Sequence, residues 1–357
     1  MEFLLSDEQL EMQDSVRRFL DKNCPSTELH THFDSDDGHP RDLWQGLVEL
    51  GIPAMCVAEE NDGLGLELLD LAILAETLGY AATPGPFLGH MLCIQALIEA
   101  GSTAQKQQWL PKLATGELLG SFACAEGDDA WLPKQLKLSG DTLTGNKLHV
   151  PYAEHCDLFV VALANHRLAL IEKAATGISI TAYDITDRSR HTANIHFDNT
   201  PYELLEGDAT TCARVFDAAL ILLAADSFGG AKRCIDLAAE YAQTRTQFGK
   251  VIGSFQALKH QLATMAVEVE PMRGLYWHAA YTYDHEPAAT PRQAALAKAH
   301  LSERFLQTAR NTIEAHGGIG YTWECDTQIL LKRALFNYAY MCTPSIHRQR
   351  AADLAAW

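Results

Sequence analysis

"TRTQFGK" occupies residues 244–250 and interrupts an Ala-rich helical pattern that resumes a few residues later. An aromatic residue and a glycine, placed beside Arg245 and Gln247, are a poor choice for a stretch that only has to continue a helix. The stretch therefore predicts a corner between two helices. Its composition raises the question of what Arg245 and Phe248 contact.

Long helical patterns lie on both sides of this corner. Residues 215–245, 255–284 and 291–318 are rich in strong helix formers and are separated by short links. Long helices joined in this way pack as antiparallel bundles. The C-terminal part of the chain is therefore predicted to be a helical bundle.

The rest of the chain completes a three-part pattern. The N-terminal part has helical periodicity, starts after the capping residue Ser6, and is divided by Pro and Gly into helices at about 41–50, 67–79, 86–100 and 104–114. The period then changes to two, as in "DLFVVAL" and "GISITAY", which predicts a small antiparallel β domain. We expect a mainly α fold with three domains, at 1–118, 119–205 and 206–357.

Composition excludes several classes of protein. The 357 residues are 47% apolar and carry a net charge of −18, which argues against a nucleic-acid partner because phosphate binding needs a basic face. No signal peptide and no membrane segment are evident, so neither membrane insertion nor export is expected and the chain is interpreted as cytoplasmic. The nine cysteines are widely spaced and predict reduced packing residues rather than a metal site.

Two stretches of the bundle carry residues suited to ligand chemistry. At the corner, Arg245 can hold a diphosphate, Phe248 can cover an apolar ring, and Gln256 can read an amide or adenine edge. In "EAHGGIGY", Gly317 and Gly318 allow a ligand or another backbone to come close. Each motif alone also fits a plain turn or a glycine helix stop.

Together, these motifs and the three-part pattern resemble the acyl-CoA dehydrogenase family over almost the whole chain. The resemblance includes "ENDGLGLELLDLAILAETLGY", an R-x-Q-F-G corner and an H-G-G-x-G-Y segment. It implies α,β-dehydrogenation of an acyl-CoA, with FAD bound between the β domain and the bundle and an electron-transfer flavoprotein as acceptor. Members are typically homotetramers in which the corner and the GG segment reach the FAD of a neighbouring subunit.

The catalytic base of the family has no counterpart at its usual positions. The Glu expected about 24 residues after the GG pair is Met341 here, and a thioether cannot accept a proton. The alternative Glu position in the first bundle helix is Ala219. Asp226, two turns further along that helix, is the fallback candidate, although a structural role such as pairing with a cation is favoured. Glu126 and Asp217 are weaker candidates.

The chain's own flavin site also departs from the family pattern. Where a T-E-P-x-x-G-S-D loop is expected, the sequence has "GDDAWLP", with Asp128 and Asp129 placed to repel a diphosphate. Where W-I-T-N is expected, it has "LHVPYAEH" at 148–155, without the indole and the hydroxyl that would contact the flavin. The sequence therefore lacks most of the residues with which family members bind their own flavin.

The sequence retains the residues with which a family subunit contacts the FAD of a neighbouring subunit. It lacks most of the residues with which a subunit binds its own FAD. The predicted cofactor-binding residues are Arg245, Gln247, Phe248, Phe255, Gln256, Glu314, His316, Gly317 and Gly318. This asymmetry resembles the base-lacking subunit of α2β2 acyl-CoA dehydrogenases of bacterial steroid side-chain catabolism. It implies a paralogous catalytic partner that supplies the base and shares its FAD.

Two other interpretations remain open. The chain can be an autonomous homotetrameric dehydrogenase that uses Asp226 as its base, or a flavin-free binding or scaffold protein on this fold. The three differ in the number of flavins bound per chain, alone and with a partner. His260 and His316 are expected to serve mainly in packing, and Lys332 and Arg333 are expected to be surface or interface charges.

Overall fold

The computed structural model describes residues 4–35, 38–127 and 136–355, and these are mostly helical. The helices are α1 Asp7–Asn23, α2 Ser26–Asp34, α3 Arg41–Glu49, α4 Leu68–Tyr80, α5 Phe87–Ala100, α6 Thr103–Ala114, α7 Ala209–Thr244, α8 Gln256–Val269, α9 Arg273–His285, α10 Thr290–His316, α11 Asp326–Ala339 and α12 Pro344–Leu354. The strands are β1 Gly120–Ala123, β2 Lys137–Ser139, β3 Thr142–Pro151, β4 Leu158–Ala162, β5 Leu168–Glu172, β6 Ile178–Tyr183, β7 Thr192–Pro201, β8 Glu203–Leu204, β9 Thr246–Gln247 and β10 Lys250–Val251.

Local capping chemistry explains where the first helices begin. Ser6 forms a capping box with Gln9: the Ser6 hydroxyl accepts from the Gln9 amide at 3.2 Å, and the Gln9 side chain accepts from the Ser6 amide at 3.0 Å. Ser102 and Gln105 repeat the arrangement at the start of α6. The predicted cap at Ser6 and the four helix positions that follow it are confirmed.

Eight strands form two four-stranded sheets. One has the order β1-β4-β5-β8 and the other β2-β3-β7-β6. The second sheet is antiparallel throughout, as expected. In the first sheet, β1 pairs with β4 in parallel, with Gly120 opposite Leu158. The middle of the chain is therefore the predicted β region, with one parallel pair.

The chain divides into two compact units. Unit 1 comprises Met1–Thr31, Ala72–Thr83 and Leu220–Trp357, and unit 2 comprises His32–Leu71 and Pro84–Ala219. Each unit is assembled from stretches that are separated in sequence. The three domains expected from sequence, 1–118, 119–205 and 206–357, remain a prediction.

The second long helical pattern of the bundle, 255–284, is not one helix. It is split into α8 and α9 by a 3-10 turn at Glu270–Met272, which contains Pro271. Proline lacks an amide hydrogen and clashes with the preceding helical turn, so it ends the regular α-helical ladder here.

Within unit 1, α4 and α7 cross at two glycines. A Cβ added at Gly79 would lie 2.2 Å from the carbonyl oxygen of Asp226, and one at Gly229 would lie 1.9 Å from that of Glu76. The two backbones touch, and α7 continues without interruption through this point. Gly229 therefore serves this close crossing.

The nine cysteines all lie in the described ranges and are free thiols. Among residues 4–35, 38–127 and 136–355, no His, Cys, Asp and Glu side chains form a group of three or more that could hold a metal ion. Within the same ranges, no helix combines the length and apolar character needed to cross a membrane.

Candidate functional site

The corner after α7 is a tight β-hairpin. Thr246–Gln247 pairs with Lys250–Val251 in antiparallel register, which leaves Phe248 and Gly249 as a two-residue loop. Both loop residues have positive φ, 52° and 78°. This is the conformation that type I′ hairpins require, and it explains the glycine of the R-x-Q-F-G phrase.

The hairpin presents its side chains to the exterior. Arg245 and Gln247 are exposed, and 91% of the Phe248 surface is accessible. The Phe248 ring meets the Phe255 ring edge-on at 6.1 Å, and the Lys250 ammonium lies 4.3 Å from the centre of the Phe255 ring. Within the part of the chain that is described, the Arg245 guanidinium forms no ion pair or hydrogen bond, so its donors are available to a ligand.

The glycine segment after α10 is open. Gly317 has φ 66° and ψ −143°, which is a backbone conformation essentially limited to glycine. A Cβ added at Gly317 or at Gly318 would meet no atom within 4 Å. The absence of side chains here leaves room for a group from outside unit 1.

Specific contacts bring the corner and the glycine segment to the same end of unit 1. The Tyr241 ring, in the last turn of α7, stacks on His316 at 4.4 Å. The Gln261 amide donates to Glu314 at 3.3 Å, which links α8 to the end of α10. His316 is buried, and its Nδ1 donates to the Thr312 carbonyl at 2.8 Å, which leaves Nε2 as an acceptor in the neutral ring.

The predicted cofactor-binding residues thus belong to one end of the bundle. Arg245, Gln247, Phe248 and Gln256 are exposed there, Phe255 is half-buried, and Glu314 is exposed. The surface offers a guanidinium, an aromatic face and a glycine-lined opening, which together suit a phosphate-bearing aromatic ligand. Glu314 is an acidic member of this surface and is already engaged with Gln261.

Met341 takes the place of the expected base and cannot act as one. The residue is 2% exposed, and both Met341 and Cys342 have positive φ, 58° and 76°. The His347 Nε2 donates to the Met341 carbonyl at 2.6 Å. The segment is thus folded into unit 1 with a thioether in place of a carboxylate.

Lys298 supports the same segment and was missed from the sequence. Its ammonium is fully buried and donates to the carbonyls of Asn337 at 2.6 Å and Cys342 at 3.4 Å. Burial lowers the pKa of Lys298 to about 7. The sequence could not indicate this role for a single lysine in an Ala-rich helix, because the carbonyls that accept its hydrogen bonds lie about forty residues further along the chain.

Asp226 is held by a buried ion pair. Its Oδ1 accepts from Arg333 Nε at 3.0 Å and from Asn337 Nδ2 at 2.6 Å, and its Oδ2 accepts from Arg333 Nη2 at 2.5 Å. Asp226 is 3% exposed and Arg333 1%. Both carboxylate oxygens are engaged, so the arrangement favours the structural role over proton abstraction.

The expectation that Arg333 is a surface or interface charge was wrong. Its guanidinium is buried in unit 1, where Nη1 donates to the Thr83 carbonyl at 3.0 Å while Nε and Nη2 donate to Asp226. A charge can be buried in this way because it is paired and hydrogen-bonded. Lys332 is half-buried and lies 4.2 Å from the centre of the Trp323 ring.

The side chains at the remaining candidate base positions, Glu126 in the β region and Asp217 and Ala219 in α7, are also buried. Glu126 accepts from the Lys147 ammonium at 2.8 Å, and Lys147 also donates to the Cys124 carbonyl at 3.0 Å. The pair ties the end of β1 to β3. Ala219 and Asp217 are buried in α7, with 0% and 1% exposure. Asp128 and Asp129 lie outside the described residues.

The stretch 148–155 is bonded within unit 2. Tyr152 OH accepts from the Gly85 amide at 2.8 Å and donates to the Ser189 carbonyl at 3.2 Å, and the Pro151 carbonyl accepts from Ser121 Oγ at 2.7 Å. The His149 ring packs edge-on against Tyr183 at 5.1 Å. Pro151 has no side-chain donor, so it offers no hydroxyl to a flavin.

Comparisons with known proteins agree on one family. The model described as "Acyl-CoA dehydrogenase, N-terminal domain" matches residues 6–117, and "Acyl-CoA dehydrogenase, C-terminal domain" matches residues 211–355. Acyl-CoA dehydrogenase IpdE2 of Mycobacterium tuberculosis is 32% identical, with 92% of this chain and 91% of that protein covered. IpdE2 of Mycolicibacterium smegmatis is 30% identical, with 92% and 93% covered. The solved structure of the "Tcur3481-Tcur3483 steroid ACAD G363A variant" superposes with a TM-score of 0.91 at 26% identity and 98% coverage of both chains.

Proposed function

Because this chain belongs to the acyl-CoA dehydrogenase family, whose members are FAD-dependent oxidoreductases acting on CH–CH bonds, we propose that it is the non-catalytic subunit of a heteromeric acyl-CoA dehydrogenase. In this proposal it completes the FAD site of a paralogous subunit. The paralogue supplies the base that removes the α-proton of the acyl-CoA. This chain supplies binding groups only.

The observation that carries the proposal is the contrast between the end of the bundle and the base positions. The bundle end displays Arg245, whose guanidinium has no partner among the described residues, a Phe248 ring that is 91% exposed and an open glycine segment. The base positions hold Met341 and Ala219, neither of which can accept a proton. A chain that offers cofactor contacts without a base fits a supporting subunit.

FAD, when bound, would accept the β-hydrogen of the acyl-CoA as hydride. The residues at the bundle end fit such a group, because Arg245 has free donors for diphosphate oxygens and Gly317 and Gly318 leave open space. Phe248 and Phe255 would cover an aromatic face, while Gln247 and Gln256 would donate or accept hydrogen bonds at its edge. His316 Nε2 and Glu314 would serve as acceptors beside the glycine segment.

The chain's own side of a flavin site fits poorly. Pro151 offers no hydroxyl, and the residues at 148–155 bond to unit 2 itself. No step is therefore assigned to a flavin housed by this chain alone. This disagreement supports the proposal that the FAD is shared with, and mainly held by, the partner.

The substrate class and assembly are proposed with it. The structural relative named above, the Tcur3481-Tcur3483 steroid ACAD, is named for two components, which supports a paired assembly and a bulky CoA ester such as a steroid side chain. An α2β2 heterotetramer would hold two complete sites. An electron-transfer flavoprotein is the proposed acceptor of the electrons.

Flavin stoichiometry tests the proposal. We expect the chain purified alone to carry little FAD, and the complex with a catalytic paralogue to carry one FAD per two chains. Arg245→Gln should lower the flavin content of the complex and raise the Kd for FAD in reconstitution. Arg304→Gln, which removes a partly exposed ion pair with Glu268, should change neither quantity.

Two outcomes would overturn the proposal. One FAD per chain with acyl-CoA oxidation by the chain alone would indicate an autonomous enzyme, and Asp226 would then be re-examined as base. No FAD in either preparation would indicate a flavin-free binding or scaffold protein. Met341→Glu in the isolated chain should create no activity, because the other groups of the site would still be missing.

A further inference from the structure

A cavity of about 130 Å³ lies within unit 1, and its lining includes none of the proposed flavin-contact residues. It is formed where α1 and α4 end and where α2 and α11 begin, with α7 along one side. Its lining includes Leu20, Cys24, Leu29, Tyr80, Arg233 and Leu330. We refer to it as the Arg233 cavity.

The floor of the Arg233 cavity is apolar. Leu20, Leu29 and Leu330 are each at most 5% exposed. Burial raises the pKa of the Cys24 thiol to about 12, so this side chain stays neutral at physiological pH. Such a floor favours a hydrocarbon group over a charged one.

The Arg233 guanidinium lies at the side of the cavity, where it has a side-chain hydrogen bond with Tyr80 and a long ion pair with Asp326. Oδ2 of Asp326 lies 3.8 Å from Arg233 Nη2, which is too long for a hydrogen bond. Asp326 Oδ1 accepts instead from Ser26 Oγ at 2.5 Å and from His30 Nε2 at 3.0 Å. Because a guanidinium has five N–H donors, Arg233 retains donors for a second anion beside its contacts with Tyr80 and Asp326.

The position of Arg233 is fixed by an aromatic support. Its guanidinium carbon lies 5.5 Å from the centre of the Tyr80 ring, within cation–π range. Tyr80 OH donates to Asp236 Oδ2 at 3.0 Å, and Lys232 donates to Asp236 Oδ1 at 3.2 Å. The ring is held in place, so the guanidinium is oriented before any ligand arrives.

We propose that the Arg233 cavity binds a short-chain monocarboxylate. The carboxylate pairs with Arg233 through two parallel hydrogen bonds, and the alkyl chain lies on the leucine floor. A cavity of about 150 Å³ holds a benzene-sized molecule, so this one takes a chain of about three to five carbons. A dianion such as phosphate is disfavoured, because one arginine faces it while Asp21 and Asp326 also line the cavity.

Calorimetric titration of the full-length chain with sodium butyrate tests the proposal. We expect saturable, one-site binding that Arg233→Gln weakens by roughly tenfold or more. Ala81→Leu, which adds volume at the cavity wall without removing a charge, should also weaken it. Arg304→Gln is the matched control and should bind as the unmodified chain does. Circular dichroism of each variant confirms that it is folded.

Related probes separate charge from shape. Butylammonium has the same alkyl chain with the opposite charge and should not bind, and inorganic phosphate should bind at least tenfold more weakly than butyrate. Absence of saturable butyrate binding would overturn the proposal, as would equal affinity for phosphate. Butyrate binding unchanged in Ala81→Leu would also overturn it, and this variant decides the matter if Arg233→Gln does not fold. The test needs no flavin and is independent of the proposed function.

Discussion

Asp226 and Arg333 illustrate how much a single residue depends on a distant partner. Asp226→Asn should leave the Arg333 guanidinium buried without a counter-charge, and we expect the free energy of unfolding to fall by about 3 to 5 kcal/mol. Chemical denaturation of the isolated chain measures the change. Glu303→Gln, which removes a partly exposed pair with Arg348, is the control and should cost less than about 1 kcal/mol.

The same substitution bears on function. If Asp226 were the catalytic base, Asp226→Asn would abolish oxidation while leaving stability nearly unchanged. The test uses the complex with a catalytic paralogue, and a variant chain that is as stable as the unmodified one but makes this complex inactive would contradict the structural role of Asp226.

Lys298 predicts a pH dependence of stability. Its pKa is about 7 in the folded chain and near 10.5 when exposed, so between these values the unfolded chain holds a proton that the folded chain lacks. The free energy of unfolding of the unmodified chain, taken relative to that of Lys298→Met, should therefore be independent of pH below about pH 7. Above pH 7 this difference should rise by up to about 1.4 kcal/mol per pH unit. Denaturation at several pH values from 6 to about 10 measures this slope.

Two ionisable residues neighbour Lys298: Cys342, which acts to raise the Lys298 pKa, and His347. His347 does not interfere in that window. Burial, together with the Lys298 charge, lowers the pKa of His347 to about 4, so His347 titrates well below it. Lys259→Met, at an exposed position of α8, is the control and should run parallel to the unmodified chain. Parallel curves for Lys298→Met and the unmodified chain would contradict the prediction.

At the scale of helices, the crossing of α4 and α7 has no room for a methyl group. Gly229→Ala would place a Cβ 1.9 Å from the Glu76 carbonyl oxygen, so the helices must move apart. We expect a loss of about 2 to 3 kcal/mol, measured by denaturation. Gly274→Ala in α9 meets no atom within 4 Å and should instead stabilise the chain by about 0.5 to 1 kcal/mol. Equal effects at both sites would contradict this assignment.

The hairpin after α7 allows the ring of Phe248 to be separated from its turn. Phe248 occupies the first loop position with φ 52°, where asparagine is well tolerated. Phe248→Asn should therefore leave the melting temperature unchanged while lowering the FAD content of the complex several-fold. Gly249→Ala, which strains the second loop position, should lower both. Unchanged flavin content in Phe248→Asn would show that the ring does not contact the cofactor.

Elements with local signals could be predicted from the sequence, and elements that depend on distant partners could not. The capping box at Ser6 and the period-two stretches identified α1 and the β region because their cause lies within a few residues. The parallel pairing of β1 with β4 and the burial of Arg333 depend on residues far along the chain. The break at Pro271 did have a local cause, and its effect was underestimated.

The residues proposed for the candidate site differ in whether the sequence could point to them. The sequence motifs pointed to Arg245, Phe248 and the glycine pair. The structure adds the stacking of the Tyr241 ring on His316, which joins α7 to α10. Lys298 could not be found in this way, because its acceptors are backbone carbonyls that carry no residue identity. The roles of these residues toward FAD stay predictions.

At the scale of the whole molecule, stretches that are far apart in sequence pack into the same compact unit. Unit 1 combines the N-terminal stretch, part of α4 and the C-terminal helices. Residues of α4 supply partners to the bundle: Glu76 accepts hydrogen bonds from Tyr276 and Arg273, and burial raises the pKa of Glu76. The bundle is therefore not self-sufficient, although its sequence is continuous.

The free cysteines make the order of opening of the two units measurable. Burial raises the pKa of Cys93 and Cys234 to about 12, so neither thiol reacts with a disulfide reagent until its surroundings open. Cys93 belongs to unit 2 and Cys234 to unit 1. Labelling in mild denaturant followed by peptide mass mapping should give one common rate if the chain opens all at once. Two rates would show that one unit loses its structure while the other persists.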